Sequence, residues 1–491
     1  MTTKAGGARR VPDVYVIVLD TLRASEGPNG DRPAETMPWL GAWAASDAVS
    51  YTRGVSVAPW TLPAHASLFT GLHPSVHGAN ELHPRLGAGA PTMAEWFKDE
   101  GYRTAGVSAN AWVGPEFGLA RGFDAFVRVW QVRNADSDVT RVLKGAQHLS
   151  DRQKAMRVLA TRRPTDALNL SFRYLRRRIR YGDFNAGGVN REAIRFVESD
   201  RSSPLFLFVN YMEAHAPYWG PRRHRRRFLP AGITSLSARR IPQSSSKVNA
   251  GVATLSEGDL AVLRALYRAE VRYLDERVSQ LVAAIDERRG LENAVVVILS
   301  DHGDNIGDHG LLGHNYSMWE TLLHVPIVIR YPGGAGGGTR DPRLAQTVDV
   351  LPTVVEIAGG TLRGTIAGRS LSSAATREIA TAEYLAPMPS LETMRRKYPG
   401  ADLDRFDRSL RALRTADDEK LIWDSKGEHQ LFDLRADPGE TTNLALGRPE
   451  RVAELAGLLG RDPERSPSGV AHAAQMEDDV RRQLEAMGYL M

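Results

Sequence analysis

Along this chain, short runs of nearly continuous apolar residues alternate with stretches whose apolar positions recur at helical spacing. DVYVIVLD (13–20), YRTAGVSAN (102–110), PLFLFVNY (204–211), AVVVILSD (294–301) and PIVIRYP (326–332) are of the first kind. Runs without polar alternation suit strands buried on both faces, as in a parallel or mostly parallel sheet covered by helices. Helical spacing predicts helices over 36–47, 90–100, 187–198, 257–288 and 347–358. The alternation points to a three-layer α/β/α domain built on a large, mostly parallel sheet.

Two stretches break this rhythm. Residues 133–185 read as a basic helical insertion ending in SFRYLRRRIRY, and 220–256 as an irregular Arg, Pro and Ser segment containing PRRHRRRF. After the loop GGAGGGTRDP (333–342) and the helix at 347–358, the pattern changes. REIATAEY, LRALRTADDEKLIWD and HQLFDL read as short strands of a smaller antiparallel sheet, and a charged helical tail follows from about 449. The expected organisation is a flexible tail (1–12), a large α/β domain (13–370), and a C-terminal subdomain with its tail (371–491). No internal repeat is visible.

With 491 residues, 42% of them hydrophobic, the chain can bury one large core and an appendage. A net charge of +5, from 63 Lys and Arg against 58 Asp and Glu, favours anionic substrates or surfaces only weakly. The absence of cysteine excludes disulfides, thiolate metal sites and any cysteine-derived cofactor. The N-terminus MTTKAGGARRVPD has no apolar signal region, and no run of 18 apolar residues follows, so a cytoplasmic location is expected.

Active sites of open parallel sheets lie beyond the carboxyl ends of the strands. Asp20 closes the first apolar run, His215 follows the run ending at 211, and Asp301 and His302 close the run at 294–301. One polar residue in such a place is usually a cap or turn former, but four together point to a site. In VAPWTLPAHASLFTG (57–71), Thr61 stands where a tight turn leads into a helix of small residues.

SDHGDNIGDHGLLGH (300–314), VLDTLR (18–23), WTLPAHASLFTG (60–71), HAPY (215–218) and FDLRADPGETTNLA (432–445) follow one another in an order that resembles the sulfatase family of the alkaline phosphatase superfamily. The resemblance covers nearly the whole chain. It implies an alkaline-phosphatase-like fold in which Asp20, Asp301 and His302 hold a divalent cation, with Thr61 Oγ as a further ligand and the nucleophile. It also implies that His215 and His314 serve the transferred group or the leaving oxygen. His65, one helical turn from Thr61, faces the same site. A neutral hydroxyl is a weak nucleophile until a metal or base stabilises its alkoxide, which agrees with this arrangement. Oxygen-rich ligation with one imidazole suits Mn, Ca, Mg or Zn and leaves the identity open.

The chain departs from the family at the nucleophile. Sulfatases carry Cys or Ser, any residue, Pro, any residue, Arg, and convert the first to formylglycine; here the stretch is Thr61, Leu62, Pro63, Ala64, His65. Oxidation of Thr would give a ketone, so no formylglycine is expected. A Thr-sulfate would need direct attack of water at sulfur, whereas a Thr-phosphate can be opened in line with metal help. Thr nucleophiles occur in this superfamily among phosphodiesterases and the phosphoglycerol and phosphoethanolamine transferases. The Lys and His that sulfatases place after the second core strand are Asn110 and Trp112 here, at substrate-binding positions.

The expectation is therefore a hydrolase or transferase of phosphodiesters, phosphonate esters or related phosphate esters. The alternatives are a sulfatase using unmodified Thr and a catalytically inactive binding protein. Two-metal relatives carry an Asp four residues before the HAPY-type His, where this chain has Tyr211, so one metal is expected. Water and an alcohol both remain as acceptor, and the oligomeric state is open.

His73, His77 and His83 read as surface or turn residues, while His309 could orient the Asp301 loop. RRRIRY and RRHRRR read as solvated faces or as contacts for an anionic, lipid-like substrate or an anionic membrane surface. Phe172, Tyr174 and Tyr181 interleave with arginines, but nothing resembles a nucleic-acid-binding module, and nucleic acid is not expected as a partner.

Overall fold

The computed structural model describes residues 11–129, 184–362 and 364–461. The expected tail before residue 11, the basic insertion as far as residue 183, with Phe172, Tyr174 and Tyr181, and the chain after 461 lie outside the described residues. Eight strands form the main sheet: β1 (Asp13–Leu19), β2 (Val49–Val55), β3 (Arg103–Ser108), β4 (Ala125–Arg128), β5 (Leu205–Tyr211), β6 (Ala294–Leu299), β9 (Ile327–Arg330) and β10 (Arg340–Gln346). A two-stranded hairpin, β7 (Asn305–Ile306) with β8 (Leu312–Gly313), lies between β6 and β9 in the chain. The sheet order is β10-β2-β9-β6-β1-β5-β3-β4. Strand β9 runs antiparallel to both neighbours, and the other pairings are parallel.

The apolar runs become central strands because both of their faces are covered. Along β1, Val14, Val16 and Val18 enter one core while Tyr15, Ile17 and Leu19 enter the other. Val16 pairs with Phe208 of β5 and with Val297 of β6. The second face is covered by the 33-residue helix Glu257–Arg289, started by a Ser256–Asp259 capping box, with Leu263, Leu266, Leu274 and Leu281 fully buried. The Thr61–Thr70 helix on the first face has every residue buried. It ends at Gly71, whose left-handed conformation (φ 68°) lets its N–H reach Ser67 O at 2.8 Å.

The segment 220–256 is not irregular. It forms short helices at Arg222–Phe228, Ser235–Ala238 and Ser245–Asn249. Arg225 is held there by stacking over Trp219, 4.2 Å from the ring centroid, and by the Gly220 carbonyl, so this arginine is not part of a solvated face.

Strands β11 (Ile379–Tyr384), β12 (Leu410–Thr415), β13 (Glu419–Asp424) and β14 (Gln430–Asp433) form the smaller antiparallel sheet. The Pro449–Arg461 helix buries Val452, Leu455 and Leu459 against Leu413, Leu421 and Leu431 of this sheet. Two contacts tie the sheet to the Thr61–Thr70 region. The Glu383 carboxylate accepts Ser75 N–H at 2.7 Å and Ser75 Oγ–H at 2.9 Å. Glu81 accepts the Trp60 indole N–H at 2.7 Å and the Leu385 N–H at 3.3 Å.

A third tie is ionic. Lys420 Nζ, almost fully buried, lies 2.9 Å from Glu320 Oε1 and 2.7 Å from Glu440 Oε1, and Arg414 sits 2.8 Å from Glu320 Oε2. Burial alone would raise the Glu320 carboxyl, but Lys420 and Arg414 more than offset it and hold it at about 2. Because its folded value lies below the ordinary 4.5, the stability it contributes is in place above that value and is lost as pH falls towards about 2. Lys420→Met leaves two buried carboxylates short of a cation and is expected to cost ~3–5 kcal/mol, measured by denaturant unfolding near neutral pH. A loss below about 0.5 kcal/mol would mean that water already solvates the network.

Candidate active site

The loops following β1, β2, β3, β5 and β6 converge at the carboxyl ends of these parallel strands. Asp20 follows β1, and its N–H still continues the ladder to Tyr211 O at 3.0 Å. Ser300 Oγ accepts Leu22 N–H at 2.9 Å and lies 2.7 Å from Leu19 O, joining the loops after β1 and β6. Gly303 lets the turn after His302 lie against the chain at Thr321, since a Cβ there would stand 2.0 Å from the Thr321 carbonyl oxygen.

Asp20, Asp301 and His302 are buried and each offers one ligand atom, all within 4.8 Å of one another. Asp20 Oδ2 accepts from Asn110 Nδ2 at 2.5 Å, while its Oδ1 has no hydrogen-bond partner. Asp301 Oδ1 accepts the N–H groups of His302 at 2.9 Å and Thr21 at 3.3 Å, and its Oδ2 is likewise unbonded. His302 Nδ1 lies 2.9 Å from Gly303 O, to which it donates, so the lone pair of Nε2 faces the carboxylates. Burial, reinforced by the charge of Asp20, pushes the Asp301 carboxyl well above the ordinary range, and burial keeps His302 neutral. Two orphaned carboxylate oxygens beside an imidazole lone pair form a donor set that fits a divalent cation.

Thr61 opens its helix, and Trp60 precedes it in extended conformation. Its Oγ lies 3.3 Å from His302 Nε2 and 3.4 Å from Asn110 Nδ2. Asn110 thus reaches both Asp20 and Thr61. Trp112 donates its N–H to Asn110 Oδ1 at 2.8 Å, while its indole packs edge-on against Trp60 at 5.3 Å. His65 is fully buried: Nδ1 donates to Thr61 O at 2.9 Å and lies 3.4 Å from Asp301 Oδ2, and Nε2 is 3.5 Å from Asn210 Nδ2. It braces Thr61 against Asp301.

His215 and His314 meet at the open side, their ring centroids 5.1 Å apart, with His314 4.6 Å from His302. His215 Nδ1 donates to Ala216 O at 2.6 Å. Burial and the neighbouring His314 hold the His215 imidazole below the ordinary histidine range. Tyr211 is buried and donates its hydroxyl to Asn190 Oδ1. Asp304 and Tyr218 also belong to this neighbourhood, the Tyr218 hydroxyl donating to Asp304. Both lie inside the motifs quoted above, yet nothing in the sequence pairs them.

Other histidines sit differently from expectation. His73 and His77 are buried rather than on the surface. His77 Nδ1 accepts Ala79 N–H at 3.1 Å and its Nε2 donates to Ser67 Oγ at 2.9 Å, with burial lowering its pKa to about 3. His83 is exposed, as expected. His309, in the loop after Asp301, stacks on Trp319, 3.7 Å between centroids. No helix among the described residues is long and apolar enough to cross a membrane.

A model of the sulfatase family matches residues 12–360, and one of the N-sulphoglucosamine sulphohydrolase C-terminal region matches 307–455. The ulvan-active sulfatase of Formosa agariphila is 26% identical over 455 residues, covering 89% of this chain and 78% of its own. Choline-sulfatase of Rhizobium meliloti is 25% identical over 462 residues, covering 88% and 82%. The crystal structure of a phosphonate monoester hydrolase of Agrobacterium radiobacter shares the fold, with a TM-score of 0.69 at 20% identity over 93% of this chain and 96% of that one. The sheet, its site-bearing loops and the matched span from 12 to 360 coincide: the chain belongs to the sulfatase family and is a hydrolase of the alkaline phosphatase superfamily.

Proposed function

We propose that the protein is a metal-dependent hydrolase or transferase of phosphodiesters, phosphonate esters or related phosphate esters, with Thr61 as nucleophile. The observation that carries this reading is a threonine hydroxyl at a helix start, 3.3 Å from His302 Nε2, in a chain without cysteine. Asp20, Asp301, His302 and Thr61 would hold one divalent cation, which when bound supplies charge stabilisation for the hydroxyl and for the transferred group. The residues do the rest. Asn110 hydrogen-bonds Asp20 and Thr61, the helix amides face developing negative charge, and His65 fixes the Thr61 backbone. His215 and His314 move protons or donate hydrogen bonds at the leaving and attacking oxygens. The Thr61 oxygen attacks phosphorus as the leaving oxygen departs, and water or an alcohol then displaces Thr61 in line.

A sulfatase working with unmodified Thr is the second reading, favoured by the sulfatases among the relatives in sequence, the ulvan-active sulfatase and choline-sulfatase included. The discriminating experiment offers aryl phosphodiesters, phosphonate monoesters, phosphate monoesters and sulfates, each with Mn, Ca, Mg and Zn. Turnover of phosphorus esters is the expected result, and hydrolysis of sulfate esters alone would overturn the first reading.

His215→Ala and His314→Ala are each expected to lower kcat by about two to four orders of magnitude while bound metal stays near stoichiometric. Metal analysis of the purified variants checks this. Loss of all metal from the His215 variant would mean that His215 is itself a ligand and that the site holds a second cation.

A further inference from the structure

The Asp304 carboxylate is buried one residue beyond the turn made by His302 and Gly303. Its Oδ2 accepts the Tyr218 hydroxyl and its Oδ1 lies 3.4 Å from His314 Nδ1. The guanidinium of Arg23 is differently engaged: it bonds the Asp304 backbone carbonyl through Nε and pairs its terminal nitrogens with Asp308. Among the described residues, then, the carboxylate has a neutral phenol and an imidazole as its partners. A buried carboxylate with a single neutral donor is costly, and the Nδ1–H of His314 is the second donor it requires.

Both partners are themselves anchored. Tyr218 donates its N–H to Gln243 at 2.7 Å and packs edge-on against Tyr267, 5.3 Å between centroids. Tyr267 in turn donates to the carbonyl of Thr21, next to Asp20, at 2.9 Å. The orientation of Asp304 is thereby fixed from the loop that carries Asp20. The His314 side chain keeps 18% of its surface exposed, and its ring stands between those of His302 and His215.

We propose that Asp304, held by Tyr218, is a positioning residue that fixes the His314 tautomer so that Nε2 faces the leaving oxygen. The inference rests on the function proposed above in giving His314 contact with the substrate. In the step concerned, the bond from phosphorus to the leaving oxygen breaks with its electron pair on oxygen, and that oxygen takes the proton of Nε2. The proton on Nδ1 stays, held by the hydrogen bond to Asp304 that keeps the ring in place.

Two measurements test this. In protein labelled with ¹⁵N-histidine and loaded with Mg or Zn, the ring resonances of His314, assigned by their absence from His314→Ala, should report a protonated Nδ1. Asp304→Asn and Tyr218→Phe should both shift them, and an unchanged His314 spectrum in Asp304→Asn would overturn the proposal. This readout is independent of activity. On an ester that the wild type hydrolyses, Asp304→Asn should lower kcat about 10–100-fold with KM within about twofold, the loss growing as the leaving group becomes poorer. In the His314→Ala background the same substitution should cost nothing further. Independent losses in the double variant, or an equal loss for every leaving group, would show a merely structural role. If the ester proves to be a sulfate, the proposed substrate class fails, while the cycle still decides the role of Asp304.

Discussion

Thr61→Ala is expected to fold, to retain metal and to lose turnover by about four to six orders of magnitude, the scale seen when a nucleophile is deleted and binding groups remain. The competing role for a Thr at a helix start is capping, whose removal costs roughly 1 kcal/mol and leaves chemistry intact. The geometry weighs against capping: the cap position is Trp60, Thr61 is already the first helical residue, and its Oγ faces His302 and Asn110. Thr61→Ser should keep part of the rate because the hydroxyl survives. Mass spectrometry of enzyme quenched during turnover of a slow phosphorus ester should find the added phosphoryl group on the peptide containing Thr61. Wild-type turnover by Thr61→Ala would remove both the nucleophile and the reason for preferring phosphorus over sulfur.

Chelation of the purified protein, or Asp301→Ala, should abolish activity and lower thermal stability together. Asp20 and Asp301 each bring an unbonded oxygen to one buried site, and a bound cation offsets the cost of burying the two carboxylates together. At a metal concentration 100 times its dissociation constant, ligation stabilises the fold by about 2.7 kcal/mol, which calorimetry with and without chelator resolves. Asp301→Ala should melt at the same temperature in both conditions. Full activity in a verified metal-free sample would refute the assignment of these residues as ligands.

Much of the fold was legible because the central strands are covered on both sides and so need no polar alternation. The edges were not. β10 is written RDPRLAQ and lies at one margin of the sheet, where Arg340 and Pro342 keep contact with solvent, so it reads as loop. β2, written VSYTRGV, hides its strand character behind Arg53 and Gly54. The apolar run that became β9 was visible, but its reversed direction depends on the connection from β6 and leaves no mark on composition. The short helices at 222–249 were masked by arginine, whose aliphatic stems and flat guanidinium can pack, as Arg225 does on Trp219.

At the site, the residues at strand ends could be named because position and chemistry coincide there. Asp304 could not. Its hydroxyl partner is 86 residues earlier, and only the fold brings the two together. His73 and His77, read as surface or turn residues, are buried because Glu383 and Thr381 of the small sheet close over this loop.

Three of the ties between the small sheet and the elements around the site bear on how the protein is made. Glu383 holds Ser75, Leu385 joins Glu81 and through it Trp60, and Lys420 holds Glu320 just beyond the hairpin that follows His302. Every one of these partners on the small sheet is synthesised after Asp20, Thr61, Asp301 and His302 have left the ribosome. A nascent chain that has emerged as far as residue 370 therefore possesses all four candidate ligands but lacks the supports of the loops that carry them. Activity should arise only once β13 has joined its sheet, so a chain released before then carries the candidate ligands without a working centre.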